Sequence, residues 1–548
     1  MGISIHLSVS KSVKKEEWKA VYEESLKMVK AFPLAELREI DIDGIDTICL
    51  VETEEHQETY GWYDEKTRVG WDAVGDYRYM RIAEDYYLPR DLVDDKKYIE
   101  RCEDAMFGIL PAYLDYDWQD KQFDITYDIW GAKTQGEPYH MYLLAIACMI
   151  ESRLSNKAFV YGDITRGQCV RAVELANEVL DNPIEIPARC DLDRLLERVS
   201  AMPLTEQEKI RAFECIYLGN KDVKFGEYIR NYFSDAAFIE YWEKRFSHCT
   251  VEQFGFLDIF SDYILWGFDL SDVCRYVKFK NKDGKLLYED FVKYVMDTKL
   301  HLLNKDCSDP LKIDEDESRP YGVSTLFAQL VFIGAKNKKI DRFIPIEEIR
   351  KALTASIGDK CDVNNIIDNY LSKEAEQDNI DLLKISTEED YIKACDQDPS
   401  ELYKQYINNT AEKIEKIRET YDIADFDYLP FYESGDTISP GILKSLGKSF
   451  AFYRSILEED SYKELMRKDY ISRCRFLVDQ NSSIFIRDTD WRKIFKDIRE
   501  NDESFARYYP MVRVSITSKN IAYMINAIVL NDELYEYCFE LASQYEKE

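Results

Sequence analysis

The sequence predicts an α+β protein, in which a small mixed α/β unit at the amino terminus precedes a large, mainly helical region of packed helical hairpins. Two observations predict this class. Residues 3–10 alternate apolar and polar side chains, as a half-buried strand does, and an amphipathic helix follows. From residue 191 onward, apolar residues recur at helical spacing and strand-like alternation becomes rare. The 548 residues are about three to four times the usual domain length, so we expect more than one structural unit.

The amphipathic helix is predicted over residues 14–32, and a β-hairpin follows over residues 37–51. The hairpin is centred on Asp43-Gly44, because this dipeptide tolerates the positive φ angles of a two-residue turn. In that register Asp41 faces Asp46, and facing carboxylates repel each other unless they are hydrated or hold a cation. Asp41, Asp43 and Asp46 are therefore candidate metal ligands. They lack the later bidentate Glu of a calcium loop, and an ordinary hairpin tip is the alternative interpretation.

Residues 60–130 are rich in aromatic side chains. Here the pattern predicts a strand at residues 77–82, a helix over residues 97–110, and a strand or loop at residues 123–130. This region completes the mixed α/β unit.

Residues 138–187 are the most sharply punctuated stretch, and they predict a helix, a strand, a tight turn and a second helix. The first helix, over residues 139–154, is apolar on nearly all sides, so we expect it to be buried. A short apolar run then ends at Gly162-Asp163, where a turn is expected. Thr165 is placed to cap the second helix.

We divide the chain into a mixed α/β domain at residues 1–187, a helical domain at 188–303, an acidic linker or loop at 304–322 and a helical domain at 323–548. The linker is assigned from its charge and its prolines. Further helices are predicted over 285–303 and near 323–334, 345–357, 362–376, 387–395, 399–421, 440–458, 460–478, 489–500 and 518–544, the last broken at Asn531-Asp532. Paired helices at this spacing resemble the plan of α-solenoids, but no fixed-period repeat is present.

Composition and charge limit the class of protein. The chain is 45% hydrophobic, yet it has no apolar run of about 18 residues and no basic-then-apolar start, so we expect a soluble, cytoplasmic protein without membrane contact. Its 13 cysteines include no C-x-x-C pair, which argues against a disulfide framework and a zinc ribbon. A formal charge of −33 disfavours duplex nucleic acid and suits a basic protein partner. We expect no cofactor; the oligomeric state is not determined by the sequence.

Asp163 is the best candidate for chemistry, together with His140 and Arg166. A carboxylate at the carboxyl end of a strand, facing the first turn of the next helix, is where open α/β sheets place ligand groups. That first turn, with Arg166 nearby, suits an anion, and His140 is a possible acid-base partner of Asp163. The alternative is structural: Asp163 caps its own helix, and His140 is a hydrogen-bonded core residue.

Other catalytic templates are absent. The five histidines show no paired metal-ligand spacing: His6, His56, His140, His248 and His301. Residues 441–449 approach a phosphate-binding loop, but the spacing is one residue too long and the helical pattern runs straight through it. No nucleophile elbow, kinase motif set or dinucleotide fingerprint is present.

These observations predict a bacterial interaction or regulatory protein that acts through an acidic helical surface. The first alternative is an enzyme that acts on a nucleotide or another phosphate-containing substrate at the turn around Asp163. The second alternative is a component of bacterial conflict or phage defence that binds a basic partner, and this hypothesis depends on the charge alone.

Overall fold

The structure is a computed structural model that describes residues 2–59, 67–92, 102–114, 116–117, 120–253, 255–303, 339–377, 429–482, 484–513 and 519–545. The predicted linker at 304–322 lies outside the described residues. So do the helices predicted near 323–334, 387–395 and 399–421, and the first part of the helix predicted over 97–110.

Strands are confined to the amino-terminal part of the described chain, and helices dominate the rest. The strands are β1 Ile5–Ser10, β2 Leu34–Ile42, β3 Ile45–Glu52, β4 His56–Thr59, β5 Thr67–Asp76, β6 Arg81–Pro89, β7 Thr126–Trp130 and β8 Ala158–Gly162. The helices are α1 Lys15–Ala31, α2 Ala105–Ile109, α3 Tyr139–Leu154, α4 Arg166–Asn177, α5 Leu192–Ala201, α6 Glu206–Ile216, α7 Val223–Tyr232, α8 Asp235–Ser247, α9 Phe256–Leu265, α10 Leu270–Val273, α11 Tyr288–Asp297, α12 Ile346–Ile357, α13 Val363–Gln377, α14 Pro440–Ile456, α15 Asp460–Met466, α16 Tyr470–Gln480, α17 Asp488–Glu500, α18 Phe505–Arg513, α19 Lys519–Leu530 and α20 Asp532–Ala542. The predicted α+β class is confirmed.

The first sheet has three antiparallel strands in the order β7-β1-β8. In the central strand, the side chains of Ile5, Leu7 and Val9 are fully buried, as the alternation of residues 3–10 predicts. They share one hydrophobic core with Trp18 of α1 and Leu143 of α3. The predicted strand and helix at the start of the chain therefore form the base of the amino-terminal unit.

Helix α3 is buried on nearly all sides, which confirms the prediction for residues 139–154. It also carries a buried carboxylate, Glu151. This group accepts hydrogen bonds from the backbone N–H groups of Val160 (2.8 Å) and Ala188 (3.1 Å) and from Arg198 (3.3 Å). A buried charge is tolerated when it is paired and hydrogen bonded. Glu151 thereby joins α3 to β8 and to the helical region that follows.

The second sheet contains the predicted hairpin. Its strands are ordered β3-β2-β5-β4, and β6 pairs with β5. Asp41 lies opposite Asp46, and the turn residues Asp43 and Gly44 have φ angles of 54° and 82°. These are the positive angles that the sequence requires of this turn, so the hairpin and its register are confirmed.

The strand predicted at residues 77–82 is wrong for residues 77–80, which form the turn between β5 and β6, and only residues 81 and 82 belong to a strand. Asp76 Oδ1 accepts the backbone N–H of Arg78 at 2.9 Å. A carboxylate that binds the backbone two residues further along favours a turn. Met80 then takes a φ angle of 58°, which is outside the range of a strand.

The hairpin of the second sheet packs against the helices after residue 429. Ile42 and Leu50 share a hydrophobic core with Trp491 and Phe495 of α17. The backbone N–H of Leu50 donates to the carbonyl of Ile486 at 3.1 Å.

The domain boundaries at 187/188 and 303/304 stay predictions. No helix of the described chain is long and apolar enough to span a bilayer.

The helix predictions near 345–357, 362–376, 440–458, 489–500 and 518–544 are confirmed, and those over 285–303 and 460–478 differ in extent. Residues 440–456 form one helix through the near match to a phosphate loop, and the predicted break at Asn531 separates α19 from α20. The helix predicted over 460–478 is two helices, because Asp469 caps the second by accepting the N–H of Ser472 at 2.9 Å. The helix predicted over 285–303 is limited to α11.

Candidate metal centre

Three side chains that can bind a metal ion converge on the second sheet. Glu36 lies on β2, His56 begins β4, and Asp72 lies on β5. One ligand atom from each residue lies within 4.8 Å of the other two. The side chains of Glu36, His56 and Asp72 are 2%, 11% and 11% exposed. The cluster is therefore largely shielded from bulk water.

The strand order brings these residues together. β6 pairs along one edge of β5, and β4 and β2 share the other edge, with β4 beside residues 67–70 and β2 beside residues 75 and 76. Residue 72 of β5 lies between these two pairings, so its side chain can reach both neighbours. His56 lies opposite Gly70, and Asp72 follows two residues later on the same face of β5. A Cβ atom at position 70 would lie 2.5 Å from the carbonyl oxygen of Leu88. This close approach requires glycine next to the cluster.

His56 lies between the two carboxylates. Its Nδ1 is 3.0 Å from the carbonyl oxygen of Glu54 and 3.3 Å from Glu36 Oε2, and its Nε2 is 3.3 Å from Asp72 Oδ2. A carbonyl oxygen only accepts, so the tautomer with its proton on Nδ1 donates to Glu54 and presents the Nε2 lone pair toward Asp72. Metal-binding histidines commonly donate their second ring nitrogen to a carbonyl in this way. In this tautomer the ring can bind a metal through Nε2.

Arg38 is the cation beside the cluster. Its Nη2 is 2.6 Å from Glu36 Oε1, and its Nη1 is 3.3 Å from Glu54 Oε1. Within the described chain, neither Glu36 Oε1 nor Arg38 Nη2 has a hydrogen-bond partner, so their contact is electrostatic without being a directed hydrogen bond. Burial raises the pKa of Glu36 to about 7, although Arg38 and His56 act to lower it. Arg38 thus contacts one buried carboxylate, Glu36, and one exposed carboxylate, Glu54.

The donor set suits a divalent first-row transition metal. Carboxylates favour Mn²⁺, whereas imidazole favours Zn²⁺ and Fe²⁺. Bonds of about 2.0–2.2 Å require the three ligand atoms to move slightly closer together than they are. Three protein ligands leave further coordination positions to water or to a substrate, which is the pattern of catalytic zinc sites. A metal held here could therefore activate a bound water molecule.

The predicted site residue Asp163 follows the end of β8 and contacts Ser4. Its Oδ2 accepts the backbone N–H of Ser4 at 2.9 Å and the Ser4 hydroxyl at 2.8 Å. The same hydroxyl oxygen is 3.1 Å from Nε2 of His6. Helix α4 is capped by Thr165, whose hydroxyl accepts the N–H of Gln168 at 3.1 Å. Asp163 therefore fastens the start of the chain to the end of β8.

The other two predicted site residues, His140 and Arg166, have different partners. His140 is fully buried, with Nδ1 2.7 Å from Thr134 Oγ1, and burial lowers its pKa to about 3. Arg166 Nε donates to the carbonyl oxygen of Cys190 at 3.3 Å. No hydrogen bond or ion pair of the described chain joins any two of Asp163, His140 and Arg166.

The predicted metal candidates Asp41, Asp43 and Asp46 lie at the tip of the hairpin, apart from the cluster of Glu36. Asp41 Oδ1 accepts the N–H of Gly44 at 3.1 Å. Asp43 Oδ2 accepts hydrogen bonds from Arg499 and from the Tyr470 hydroxyl. These contacts occupy two of the three carboxylates with protein donors.

The sequence patterns did not reveal Glu36, His56 and Asp72. Metal-ligand motifs that are recognisable in a sequence pair histidines at short spacing, whereas this cluster uses one histidine and two carboxylates from three strands. A signal was present in β2. Glu36 and Arg38 are charged residues two positions apart, on one face of a strand whose other residues include Leu34, Ala35 and Leu37.

Comparison of the chain with family models, with curated proteins and with solved structures gave no match. The cluster on the second sheet and the net charge of the chain are thus the observations that bear on its function.

Proposed function

We propose that the protein binds a divalent transition-metal ion through Glu36, His56 and Asp72. The observation that carries this proposal is the convergence of two carboxylates and an oriented imidazole in a shielded position. Arg38 balances the charge of one carboxylate of the cluster, and a bound metal ion would balance the charge of the other. The Arg38 guanidinium also contacts the exposed carboxylate of Glu54. The metal proposal departs from the sequence-based expectation of no cofactor.

Titration with Mn²⁺ tests the metal proposal. Mn²⁺ is the cleanest probe, because the chain has 13 cysteines that can bind Zn²⁺ elsewhere. After chelation and dialysis, we expect one equivalent of Mn²⁺ to bind with a dissociation constant of about 1 μM, measured by calorimetry and by the loss of the free Mn²⁺ paramagnetic resonance signal. A free Mn²⁺ concentration of about 100 times the dissociation constant stabilises the folded chain by about 2.7 kcal/mol. This stabilisation should raise the unfolding temperature of the protein.

Mg²⁺ serves as the control ion. It prefers oxygen ligands in strict octahedral geometry and keeps several waters, so we expect no binding step at the same concentrations. Equal binding of both ions, or many weak Mn²⁺ sites and no strong one, would indicate only a diffuse attraction of cations to an acidic protein. Either result contradicts the metal proposal.

We propose further that the protein is an interaction or regulatory protein whose acidic surface binds a basic protein partner. The formal charge of −33 supports this proposal, because it attracts cationic surfaces over distances beyond direct contact. A basic toxin or phage component, as in the conflict hypothesis, is one such partner. The separate partners of Asp163, His140 and Arg166 give no support to the alternative of a nucleotide or phosphate enzyme at that turn.

Co-purification from the native host tests the interaction proposal. We expect a basic protein to be recovered in stoichiometric amount at about 0.1 M salt and to be released near 1 M salt, since the Debye length falls from about 10 Å to about 3 Å over this range. An unrelated acidic protein of similar net charge is the matched bait. Recovery of the same companions on both baits, or of none on this chain, contradicts a specific partner.

A further inference from the structure

A cavity of about 360 Å³ lies among α6, α8 and α9 in the helical region, away from the metal cluster. Its lining includes a histidine and five charged residues: His248, Glu208, Arg211, Lys244, Arg245 and Asp258. Three permanent cations, Arg211, Lys244 and Arg245, therefore face two carboxylates, Glu208 and Asp258. In a chain of net charge −33, a lining with surplus cations is unusual.

Two of the cations are held in place from behind. Arg245 donates to Asp262 Oδ2 at 2.8 Å and to the hydroxyl of the buried Tyr241 at 3.1 Å. Arg211 donates to Glu214 Oε2 at 2.5 Å. Neither Asp262 nor Glu214 is a lining residue of the cavity. The two guanidinium groups are thus pre-organised, which reduces the entropy lost when they bind a ligand.

The remaining charges leave cations available to a ligand. Within the described chain, the Lys244 ammonium group and the His248 ring form no salt bridge or side-chain hydrogen bond, although Lys244 attracts Glu208 electrostatically. Glu208 is already used, since its Oε2 accepts from the N–H and hydroxyl of Thr205 at 2.9 and 2.8 Å, and its Oε1 accepts from Tyr116. Glu208 is therefore committed to protein donors, whereas Lys244 and His248 keep their side-chain donors for a ligand.

We propose that this cavity binds a small phosphate-bearing anion. Arginine forks match the oxygens of a phosphate group, and a lysine and a histidine beside them add flexible donors. The volume of about 360 Å³ exceeds that of a phosphate ion and leaves room for an organic group. Tyr113 in the lining offers that group an aromatic surface. The cavity is distinct from the turn at Asp163, where the sequence pattern suits an anion.

Calorimetric titration with inorganic phosphate and with adenosine 5′-monophosphate tests the anion site. Both titrations use a chelator, so that a metal at Glu36 cannot bind the phosphate, and a constant ionic strength set with chloride. We expect saturable binding near or below 1 mM, and Lys244→Ala should weaken it about tenfold, because one charge-assisted hydrogen bond is lost. Equal affinities would assign free phosphate as the ligand, and tighter binding of the monophosphate would assign a phosphomonoester.

Lys224→Ala is the matched control. Lys224 is an exposed lysine on α7 that does not line the cavity, and its removal changes the net charge by the same amount. Both lysines are exposed, so we expect both variants to unfold at the wild-type temperature. The proposal is overturned if neither anion saturates, or if the two lysine variants weaken binding equally.

Discussion

Replacing Asp72 with asparagine is expected to weaken Mn²⁺ binding by about 100-fold or more. The substitution keeps the shape of the side chain but removes the anionic oxygen, and even residues that only support a metal ligand change affinity by about 10–100-fold. His56→Gln should have an effect of similar size, because it removes the nitrogen that faces Asp72. Calorimetry and the Mn²⁺-induced rise in unfolding temperature measure both losses.

Glu54→Gln is the matched control for Asp72→Asn. The Glu54 side chain is 70% exposed and contacts Arg38, but it is not one of the three converging residues. We expect its Mn²⁺ affinity to stay within about threefold of wild type, since a surface charge contributes little to a shielded site. An equal loss in Glu54→Gln and Asp72→Asn would mean that the ion senses only the general negative field.

The same variants separate a metal site from an ion-pair network that has no other role. If Glu36, Arg38, His56 and Asp72 serve only to stabilise the sheet, removing one partner costs stability in the presence of chelator, by about 3–5 kcal/mol for a buried pair. A metal site behaves differently: without metal, its carboxylates repel each other, and Asp72→Asn relieves that repulsion. We therefore expect the chelated variant to be at least as stable as the chelated wild type.

The parts of the fold that were predictable from sequence depend on local signals. Asp43-Gly44 determines its own turn geometry, so the pairing of Asp41 with Asp46 followed from adjacent residues. The buried helix over residues 139–154 was equally clear, because its apolar residues cover nearly every side. At residues 77–82, by contrast, the alternation of side chains predicted a strand. The backbone N–H of Arg78 donates to the Asp76 carboxylate, and this hydrogen bond favours a turn.

The two candidate binding sites were not predictable in this way, because distant segments build them. Glu36 and Asp72 meet only if β5 pairs with β2, and that pairing is short, covering Leu34 with Asp76 and Ala35 with Gly75. The anion cavity takes Arg211 from one helix and Lys244 from another. Neither the pairing of two remote strands nor the packing of three helices leaves a fixed spacing in the sequence.

His140 provides the second large prediction, a loss of stability in acid. Its pKa is about 3 in the folded chain, because burial disfavours the charged ring, against 6.5 for an exposed histidine. The unfolded chain therefore binds more protons between these values, so this contribution is complete above pH 6.5 and declines as the pH falls toward 3. At pH 5 the expected loss from this residue is about 2 kcal/mol.

The comparison of wild type with His140→Gln isolates this effect, because glutamine does not titrate and can still bond Thr134. The variant should be less stable near pH 7, yet its free energy of unfolding should depend less on pH between 6.5 and 5, as measured by urea denaturation. Burial raises the pKa of Glu151 and Asp76, and these groups act in the opposite direction in both proteins. Parallel pH profiles of the two proteins would show that His140 binds a proton as readily in the folded chain as in the unfolded chain. A protonated ring at a fully buried position would require a carboxylate beside it, as in the acid-base hypothesis for Asp163.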